Sequence, residues 1–530
     1  MTRLLALPAA LLVAGCGGGS GASVDADPTR PDATVTDGAA PVPDAAPRFT
    51  LGVTVTGTGA VTSTPAGIDC PGACSQAYAE GTRVTLLAVP GAGQQFDGWG
   101  GACAGTGPCT VTLAADASAS AAFSAGAAPD CANGGVLLDT GGTSGFGRQY
   151  VAAAGIANFA PIDLAFLPGS TTAFLAISQG GHVHYFDGGC TPVNTVDVRS
   201  AASGGIGVIS GGEQGLLNIE LHPDFAANRL VFFYHTTQAS STNSVSRMTA
   251  DLGGGMLTLS DPVRIVDFQK AGGASNHNGG GLAFAPDGTL LASVGDGGSS
   301  SASAQNDVML LGKVVRVVPS LAAGTGAYTI PAGNLFPATN APCSGMAMGG
   351  APCPEILAKG LRNPFRMSVD GDVVYLGDVG SGTEEVNSFT YATTPNFGWP
   401  MHDGPVASSS LPGYKNPIVA YRRSVEADAF RMEDPMATET GSASVMIGDV
   451  YRGSRYGGML ASSLFFAEFY DGFVRAVGVD ASGAITDTDG VPGAHLFHEN
   501  AAASFVEGPD GYVYITALYD PPMVYRLVRP

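Results

Sequence analysis

A histidine and an aspartate, each beside a glycine-rich turn, are the residues of this sequence best suited to acid–base chemistry. His277 lies in the segment SNHNGGG, and Asp296 follows a strand-like run in the segment SVGDGG. A carboxylate that accepts a hydrogen bond from one imidazole nitrogen fixes the tautomer, which leaves the other nitrogen as a base. Two isolated turn residues often have no such role. The pair therefore needs a fold that brings the two turns together.

Repeated pairs of apolar runs predict such a fold. In each pair a first run leads through a turn, often Pro-Asp-Gly, to a second run rich in strand-forming residues. Asp-Gly favours tight hairpins because its positions tolerate positive φ. The paired runs begin at Ile162, Ile219, Gly281, Phe365, Leu464 and Ser504. Repetition at this spacing predicts an all-β, six-bladed β-propeller over residues 127–530, with a large β-sandwich as the alternative.

Several motifs in the propeller region occur together and in a fixed order. They read GEQGLLNIELHPDF, NHNGGGLAFAPDGTLLASVGDGG, LGKVVRV, AKGLRNPFRMSVDGD, LGDVGSGTEEVNSF and NFGWPMHDG. In this order they resemble the soluble glucose/sorbosone dehydrogenase family, whose members are six-bladed quinoproteins that use pyrroloquinoline quinone (PQQ) and calcium. The animal hedgehog-interacting proteins share this fold. The resemblance implies an oxidoreductase that oxidises the anomeric carbon of an aldose sugar and passes electrons to an acceptor that the sequence does not identify.

The resemblance also implies roles for individual residues. His277 matches the general base, Asp296 matches the carboxylate that orients it, and Arg362 matches the arginine that neutralises charge on the quinone oxygen. Asn363 matches a neighbouring cofactor contact, and Gln214 matches a contact on the sugar side. A base, a cation and a Lewis acid around one electron acceptor form a coherent site.

Calcium is the metal that the resemblance implies. Gly380 and Ser381 match positions whose main-chain carbonyls hold the calcium beside the quinone, and Glu385 matches a ligand of a second, structural calcium. Oxygen donors of these kinds suit calcium, and carbonyl donors need no particular side chain.

The sequence departs from the family where cations are expected. PQQ carries three carboxylates, and some members hold them with a lysine in the fifth blade and two arginines in the sixth. The matching positions here are Tyr470, Ala501 and Ala503, and Arg452 or Arg455 are candidate substitutes. Two alternatives therefore stay open beside the dehydrogenase. One is a cofactor-less propeller that binds carbohydrate or protein, and the other is a calcium-dependent, lactonase-like hydrolase.

The first residues of the chain have the pattern of an export signal peptide. Residues 1–15 contain one arginine, a short apolar run and the sequence VAG before Cys16, which resembles a bacterial lipoprotein signal. In that family the mature chain begins at the acylated cysteine. Residues 16–48 are rich in Gly, Ala, Asp and Pro and predict a flexible tether. We expect an exported lipoprotein, anchored at the outer membrane, whose only membrane contact is this lipid.

A small domain is predicted between the tether and the propeller. Residues 49–126 show strand-like alternation and resemble the divergent InlB-type B-repeat, an all-β module for which we expect a spacing or attachment role. Besides Cys16 the chain has an even number of cysteines, as expected for disulfides in an exported protein, and no histidine lies near them in sequence. Sequence proximity suggests the pairs Cys70/Cys74, Cys103/Cys109, Cys131/Cys190 and Cys343/Cys353.

Composition excludes other classes of protein. The 530 residues include 45 acidic and 24 basic side chains, which gives a net charge of −21. Such a chain lacks the basic surface that nucleic acids require, and it gains nothing from an anionic membrane surface. With only 13% charged residues and 77 glycines, it also lacks the composition of a long helical scaffold.

Overall fold

The computed structural model describes residues 47–530 with gaps. The gaps comprise residues 66, 91–93, 105–108, 126–135, 139–145, 153–154, 238–241, 271–273, 344–349, 423–442, 471, 487–493, 500, 520–521 and 530. Cys16 and Cys131, both singled out in the sequence, lie outside the described residues. No helix in the described part of the chain has the length and apolar character needed to cross a bilayer.

The small domain consists of two four-stranded sheets. Its strands are β1 (Arg48–Thr56), β2 (Gly59–Thr64), β3 (Asp69–Cys70), β4 (Ser75–Ala79), β5 (Arg83–Pro90), β6 (Gln94–Gly101), β7 (Cys109–Thr112) and β8 (Ala117–Ala125). The sheet orders are β4-β1-β8-β6 and β3-β2-β5-β7, with β1 and β8 parallel. The alternating apolar residues of both sheets meet in one core that includes Leu51, Val84 and Trp99.

Six further sheets form the blades of a β-propeller, so the predicted fold is confirmed. The first blade contains β11 (Pro161–Phe166), β12 (Ala173–Ser178), β13 (His182–Asp187) and β14 (Asn194–Asp197), and the second contains β15 (Leu216–Leu221), β16 (Leu230–Thr236), β17 (Asn243–Asp251) and β18 (Thr258–Phe268). The third blade contains β19 (Leu282–Phe284), β20 (Leu290–Val294), β21 (Lys313–Pro319), β22 (Tyr328–Thr329) and β23 (Ile356–Lys359). The fourth blade contains β24 (Pro364–Asp370), β25 (Val373–Asp378), β26 (Thr383–Thr390) and β27 (Val419–Arg422).

The sixth blade joins strands from distant parts of the chain. The fifth blade contains β28 (Val445–Tyr451), β29 (Ser463–Glu468), β30 (Phe473–Gly478) and β31 (Ala494–His498), and the sixth contains β32 (Ala502–Glu507), β33 (Val513–Ala517), β34 (Met523–Val528), β10 (Gly147–Ala152) and β9 (Val136–Leu138). Strand β10 pairs with β34, which closes the ring. Short helical turns lie at α1 (Phe225–Asn228) and at the 3-10 helices Ala201–Ser203, Gly253–Gly255 and Ser301–Gln305.

Packing of each blade between two neighbours explains the sequence pattern. Every residue of β12, β16, β25 and β29 is buried, because both faces of these strands meet another blade. The strands are therefore continuous apolar runs instead of alternating ones. The innermost strands β11, β15, β19, β24, β28 and β32 contact one another in sequence around the central channel.

One predicted repeat is out of register with the blades. The unit beginning at Leu464 corresponds to β29 and β30, the second and third strands of the fifth blade, whereas the innermost strand is β28. The sequence interpretation was wrong here because residues 452–462 separate β28 from β29, so no tight turn marks the pair. The other five units begin on or beside the innermost strands of their blades.

Three of the predicted cysteine pairs are joined by disulfides in the structure. They are Cys70–Cys74 and Cys103–Cys109 in the small domain and Cys343–Cys353 in the third blade region. Cys190 is also disulfide-bonded. Its predicted partner is Cys131, so this pairing stays a prediction.

Candidate functional site

The turn before β19 holds His277 in an unusual backbone conformation. His277 has φ +50°, in the left-handed region that few non-glycine residues adopt. Its N–H donates to Glu213 Oε2 over 2.6 Å, which secures the turn to the neighbouring blade. Gly295 lies directly beneath it, and a Cβ there would be 2.3 Å from the His277 carbonyl oxygen. Only glycine permits this close approach of the two loops.

Asp296 orients the imidazole of His277, as the sequence predicts. His277 Nδ1 lies 2.7 Å from Asp296 Oδ1, and because an ionised carboxylate only accepts, Nδ1 carries the proton. The lone pair is therefore on Nε2. Asp296 also accepts from the Gly298 N–H over 2.9 Å and, through Oδ2, from Trp399 Nε1 over 2.9 Å.

These donors determine the charge state of Asp296. Its side chain is 2% exposed, and burial on its own acts to raise the pKa. The hydrogen bonds from His277, Gly298 and Trp399 outweigh burial and hold the pKa of Asp296 below its usual range. The carboxylate is thus ionised at neutral pH and available to stabilise a protonated imidazole.

Arg362 and Asn363 precede β24 and reach the same place. Their N–H groups donate to the carboxylate of Asp378, at 2.9 and 2.7 Å, and the Arg362 carbonyl accepts from the Asp296 N–H. Arg362 Nη1 donates to the Val379 carbonyl, and the guanidinium lies 5.6 Å from the Trp399 ring centroid. Burial raises the pKa of Asp378 to about 7 despite these donors. Arg362 is thus brought beside Asp296 and Trp399.

The side-chain amide of Asn363 is hydrogen-bonded, whereas that of Gln214 has an unpaired donor. Asn363 accepts from the Gly279 N–H and donates to Glu213 Oε2, so its side chain supports the His277 turn. Gln214 is 7% exposed, and its Nε2 has no hydrogen-bond partner among the described residues. An unpaired buried donor is costly, so Gln214 is the better candidate for a ligand contact.

Lys270 is a buried cation that the sequence did not single out. Its Nζ donates to the Asn276 carbonyl over 2.9 Å and to Asn278 Oδ1 over 2.8 Å, on either side of His277. Burial lowers the pKa of Lys270 to about 8, and the nearby carboxylates of Glu213 and Asp296 limit the fall. Lys270 therefore holds both flanks of the His277 turn.

The predicted calcium positions form a loop between β25 and β26. The N–H groups of Ser381 and Gly382 donate to Asp403, while the carbonyls of Gly380 and Ser381 accept no hydrogen bond from any described residue. Glu385 accepts from the Gly404 N–H over 2.7 Å. Burial, then the neighbouring carboxylate of Asp378, raises the pKa of Glu385 to about 8.

A side-chain metal cluster is not preformed at this loop in the described part of the chain. Among the described residues, the one group of three acidic, histidine or cysteine side chains with ligand atoms close enough to hold an ion lies elsewhere, at Cys343, Cys353 and Glu355. The disulfide uses both thiols, so this group is not a metal site. A calcium at the loop would depend on main-chain carbonyls, and a second calcium would depend on Glu385 of β26.

The predicted substitutes for the missing cations are wrong. Arg452 pairs with Asp370, at the far end of β24 from Arg362, and Arg455 stacks on the Tyr512 ring at 4.7 Å. Neither side chain lies at the face that holds His277. Ala503 is fully buried, and its carbonyl accepts from Arg366 Nε. The described cations close to the His277 turn are therefore Arg362 and Lys270.

Comparison with known proteins shows the family to which the propeller region belongs. Residues 159–521, more than half of the chain, match the family described as glucose/sorbosone dehydrogenase. The chain belongs to the glucose/sorbosone dehydrogenase family. Residues 49–127 match the divergent InlB B-repeat domain. The family resemblances of the propeller region and of the small domain are thereby confirmed.

Individual relatives of this glucose/sorbosone dehydrogenase family protein are distant. The aldose sugar dehydrogenase YliI of Escherichia coli is 26% identical over 67% of this chain and 86% of its own length. The HIPL2 protein of Arabidopsis thaliana is 33% identical, over 36% of this chain and 29% of its own length. A PQQ-bound aldose sugar dehydrogenase from Streptomyces coelicolor has 22% identity and a TM-score of 0.53, and covers 74% of this chain and 98% of its own. This last likeness shows the propeller fold alone.

Four residues of the site were missed in the sequence. Trp399 stands in the motif NFGWP, which by itself did not indicate that the indole donates to Asp296. Glu213 precedes Gln214 in GEQG, and Asp378 follows the apolar run of β25 in LGD, so each had a local signal. Lys270 had none, because its partners Asn276 and Asn278 come into reach only through the fold of the intervening loop.

Proposed function

We propose that this protein is a PQQ- and calcium-dependent aldose sugar dehydrogenase. The observation that carries the proposal is the His277–Asp296 hydrogen bond of 2.7 Å, with Trp399 on the second carboxylate oxygen and Arg362 over the indole ring. A base oriented by a buried, ionised carboxylate and placed beside a cation suits the removal of a proton from a sugar hydroxyl.

The residues present fit PQQ at its reactive end. Gln214 Nε2 is buried without a partner, and Arg362 keeps Nε and Nη2 free of any described acceptor, so both offer donors to an anionic or carbonyl-bearing group. The unpaired carbonyls of Gly380 and Ser381 offer the oxygen ligands that calcium prefers, and Glu385 suits a second calcium. When bound, PQQ supplies a two-electron acceptor for the hydride on the anomeric carbon.

The chain's own residues handle the proton. His277 Nε2 takes the proton of the anomeric hydroxyl while the hydride leaves the same carbon, so the sugar becomes a lactone. Asp296 stabilises the imidazolium that forms, and Trp399 and Gly298 hold that carboxylate in place. Arg362 supplies positive charge where the acceptor becomes more negative. Glu213 and Lys270 keep the His277 turn in its left-handed conformation.

Export and anchoring belong to the same proposal. Cys16 would carry the lipid, residues 16–48 would act as the tether, and the protein would sit at the outer membrane, facing the periplasm or the cell surface. Such a location suits oxidation of free sugars and delivery of electrons to an acceptor whose identity we leave open.

Reconstitution tests the proposal. Trp99 and Trp399 are the 2 tryptophans of the chain, so Trp99→Phe leaves Trp399 as a fluorophore beside the site. We expect PQQ with calcium to quench it saturably, and aldoses then to reduce an artificial electron-accepting dye. His277→Asn should keep the quenching and lose dye reduction, because asparagine tolerates the left-handed backbone. No PQQ binding at roughly tens of micromolar would contradict the proposal.

A second function is favoured by one observation. Tyr470, Ala501 and Ala503 stand where some family members hold the carboxylates of PQQ with cations, and Ala503 is fully buried with its carbonyl already bound to Arg366. If PQQ does not bind, a sugar- or protein-binding propeller is the better account. Aldoses that quench Trp399 without PQQ would support it.

A further inference from the structure

A polar cavity lies in the central channel, away from the His277 turn. The innermost strands begin near His277 and Arg362 and run toward this cavity, which has a volume of about 340 Å³. Its walls come from five innermost strands, β11, β15, β24, β28 and β32, and from Leu282 of β19. No residue assigned to the proposed dehydrogenase site lines it.

On one wall of this channel cavity, Arg366 and Asp163 form a pair of opposite charges with saturated hydrogen bonding. Arg366 is buried and donates to the carbonyls of Ile162, Leu217 and Ala503 over 2.5, 2.7 and 2.7 Å. Asp163, whose charge attracts Arg366, accepts from Ser504 Oγ over 2.6 Å and from two main-chain N–H groups. These two charges offset each other and leave no surplus.

The opposite wall of the cavity carries three carboxyl groups that no lining cation matches. Glu220, Asp449 and Glu507 all line the cavity, and Arg366 is the only lining arginine or lysine that is described. Burial, reinforced by neighbouring carboxylates, raises the pKa of Glu220 to about 8 and that of Asp449 to about 7. Ionisation of these carboxyl groups is therefore unfavourable in the cavity, and a bound cation would favour it.

An unpaired amide oxygen points to a ligand in the same cavity. Asn218 is 5% exposed and lines the cavity, and its Oδ1 has no hydrogen-bond donor among the described residues. Buried polar atoms are almost always paired, so such an oxygen needs an explanation. This unpaired oxygen is an observation independent of the carboxylates, and it would be satisfied by a bound cation or by a hydrogen-bond donor.

We propose that this cavity binds a hard divalent cation of the calcium type, held by Glu220, Asp449 and Asn218 Oδ1 and completed by water. The donors that face the cavity are oxygens, which favour calcium over softer metals. His222 also lines it, but its Nδ1 accepts from the Asp224 N–H and from Asn228, so Nε2 carries the proton and is no ligand.

Water is part of the proposed shell for a geometric reason. No three acidic, histidine or cysteine ligand atoms of the described cavity walls lie within 4.8 Å of one another. The cavity volume of about 340 Å³ is many times the roughly 30 Å³ that one water occupies in the liquid. A cation held by two carboxylates and one amide oxygen therefore has room for several waters to complete its shell.

Calcium titration of the chelator-treated protein tests this proposal. We expect wild type to bind one calcium ion more than Glu220→Gln or Asp449→Asn, and to release protons as it does so. Asp187→Asn, which removes an exposed carboxylate at the end of β13, should behave as wild type. Glu385→Gln, on the His277 face, should leave the Glu220-dependent event unchanged, so the test does not depend on the dehydrogenase proposal.

Thermal unfolding separates loss of the ion from loss of the fold. Without calcium, Glu220→Gln should melt at or above the wild-type temperature, because a buried carboxylate has been replaced by a neutral amide. With calcium, the wild-type melting temperature should rise more than that of Glu220→Gln or Asp449→Asn. Equal calcium stoichiometry and equal calcium-induced shifts in wild type and both variants would overturn the proposal.

Discussion

The hydrogen bond from Trp399 to Asp296 makes a quantitative prediction about the site. The substitution Trp399→Phe keeps an aromatic ring under Arg362 and removes the indole N–H that lies 2.9 Å from Asp296 Oδ2. The donors to Oδ1 stay in place. The change therefore tests whether the second carboxylate oxygen must be paired for His277 to work.

The expected size of the effect on the reaction rate follows from the burial of Asp296. A buried acceptor that loses its donor costs about 1–3 kcal/mol, and Asp296 is 2% exposed. Because the Trp399 donor helps to hold the pKa of Asp296 below its usual range, that pKa should rise when the donor is removed. If the same energy is lost in stabilising the imidazolium, kcat/KM should fall by roughly 5- to 150-fold.

The assay is dye reduction by the reconstituted protein with an aldose that wild type oxidises, together with urea unfolding of each variant. Trp99→Phe is the matched control, because it makes the same change in the core of the small domain. We expect Trp399→Phe to lose rate and Trp99→Phe to keep it. A Trp399→Phe variant with the wild-type rate, in the same assay in which Asp296→Asn is inactive, would refute the reasoning.

Three further predictions concern the support of the site and the stability of the ring. Lys270→Met removes the two hydrogen bonds on either side of His277, so dye reduction should fall about tenfold or more while PQQ quenching of Trp399 persists; an unchanged rate would contradict this. Gly295→Ala places a methyl group 2.3 Å from the His277 carbonyl oxygen and should abolish dye reduction, whereas Gly52→Ala, which meets no atom within 4 Å, should not. Burial lowers the pKa of Lys313 from 10.5 to about 7, so the unfolded state binds more protons between about pH 7 and pH 10.5. The free energy of unfolding should rise with pH across that window by a Lys313-dependent amount, which Lys313→Met should remove in urea titrations at several pH values.

The propeller was predictable because its signals are local. Turns such as Pro286-Asp287-Gly288 mark the hairpins, and middle strands buried on both faces are continuous apolar runs. The fifth blade shows the limit of this reasoning. Strand β28 has an apolar sequence, but residues 452–462 follow it instead of a tight turn, and so the pair was assigned to the next two strands.

The candidate site likewise contains residues that local motifs reveal and residues that only the fold brings together. His277 and Asp296 were found through motifs, because each sits beside a distinctive glycine turn. Lys270 and Glu213 each bind a main-chain group of the His277 turn, and a main-chain partner leaves no trace in sequence. The bond from Trp399 to Asp296 could not be predicted from the motif, because whether an indole N–H finds an acceptor depends on what the fold places opposite its nitrogen.

The closure of the sixth blade has a consequence for how the chain folds. Strand β10 pairs with β34, and Arg526 donates to Gln149 across a sequence separation of 377 residues. Early in synthesis β10 has no neighbour on that side, because β34 follows every other strand of the propeller in sequence. Contacts of such long range are slow to form, since the intervening chain must be ordered first. Completion of the ring is therefore the natural last step of folding, and a chain interrupted before β34 would leave an open strand edge on which other chains could aggregate.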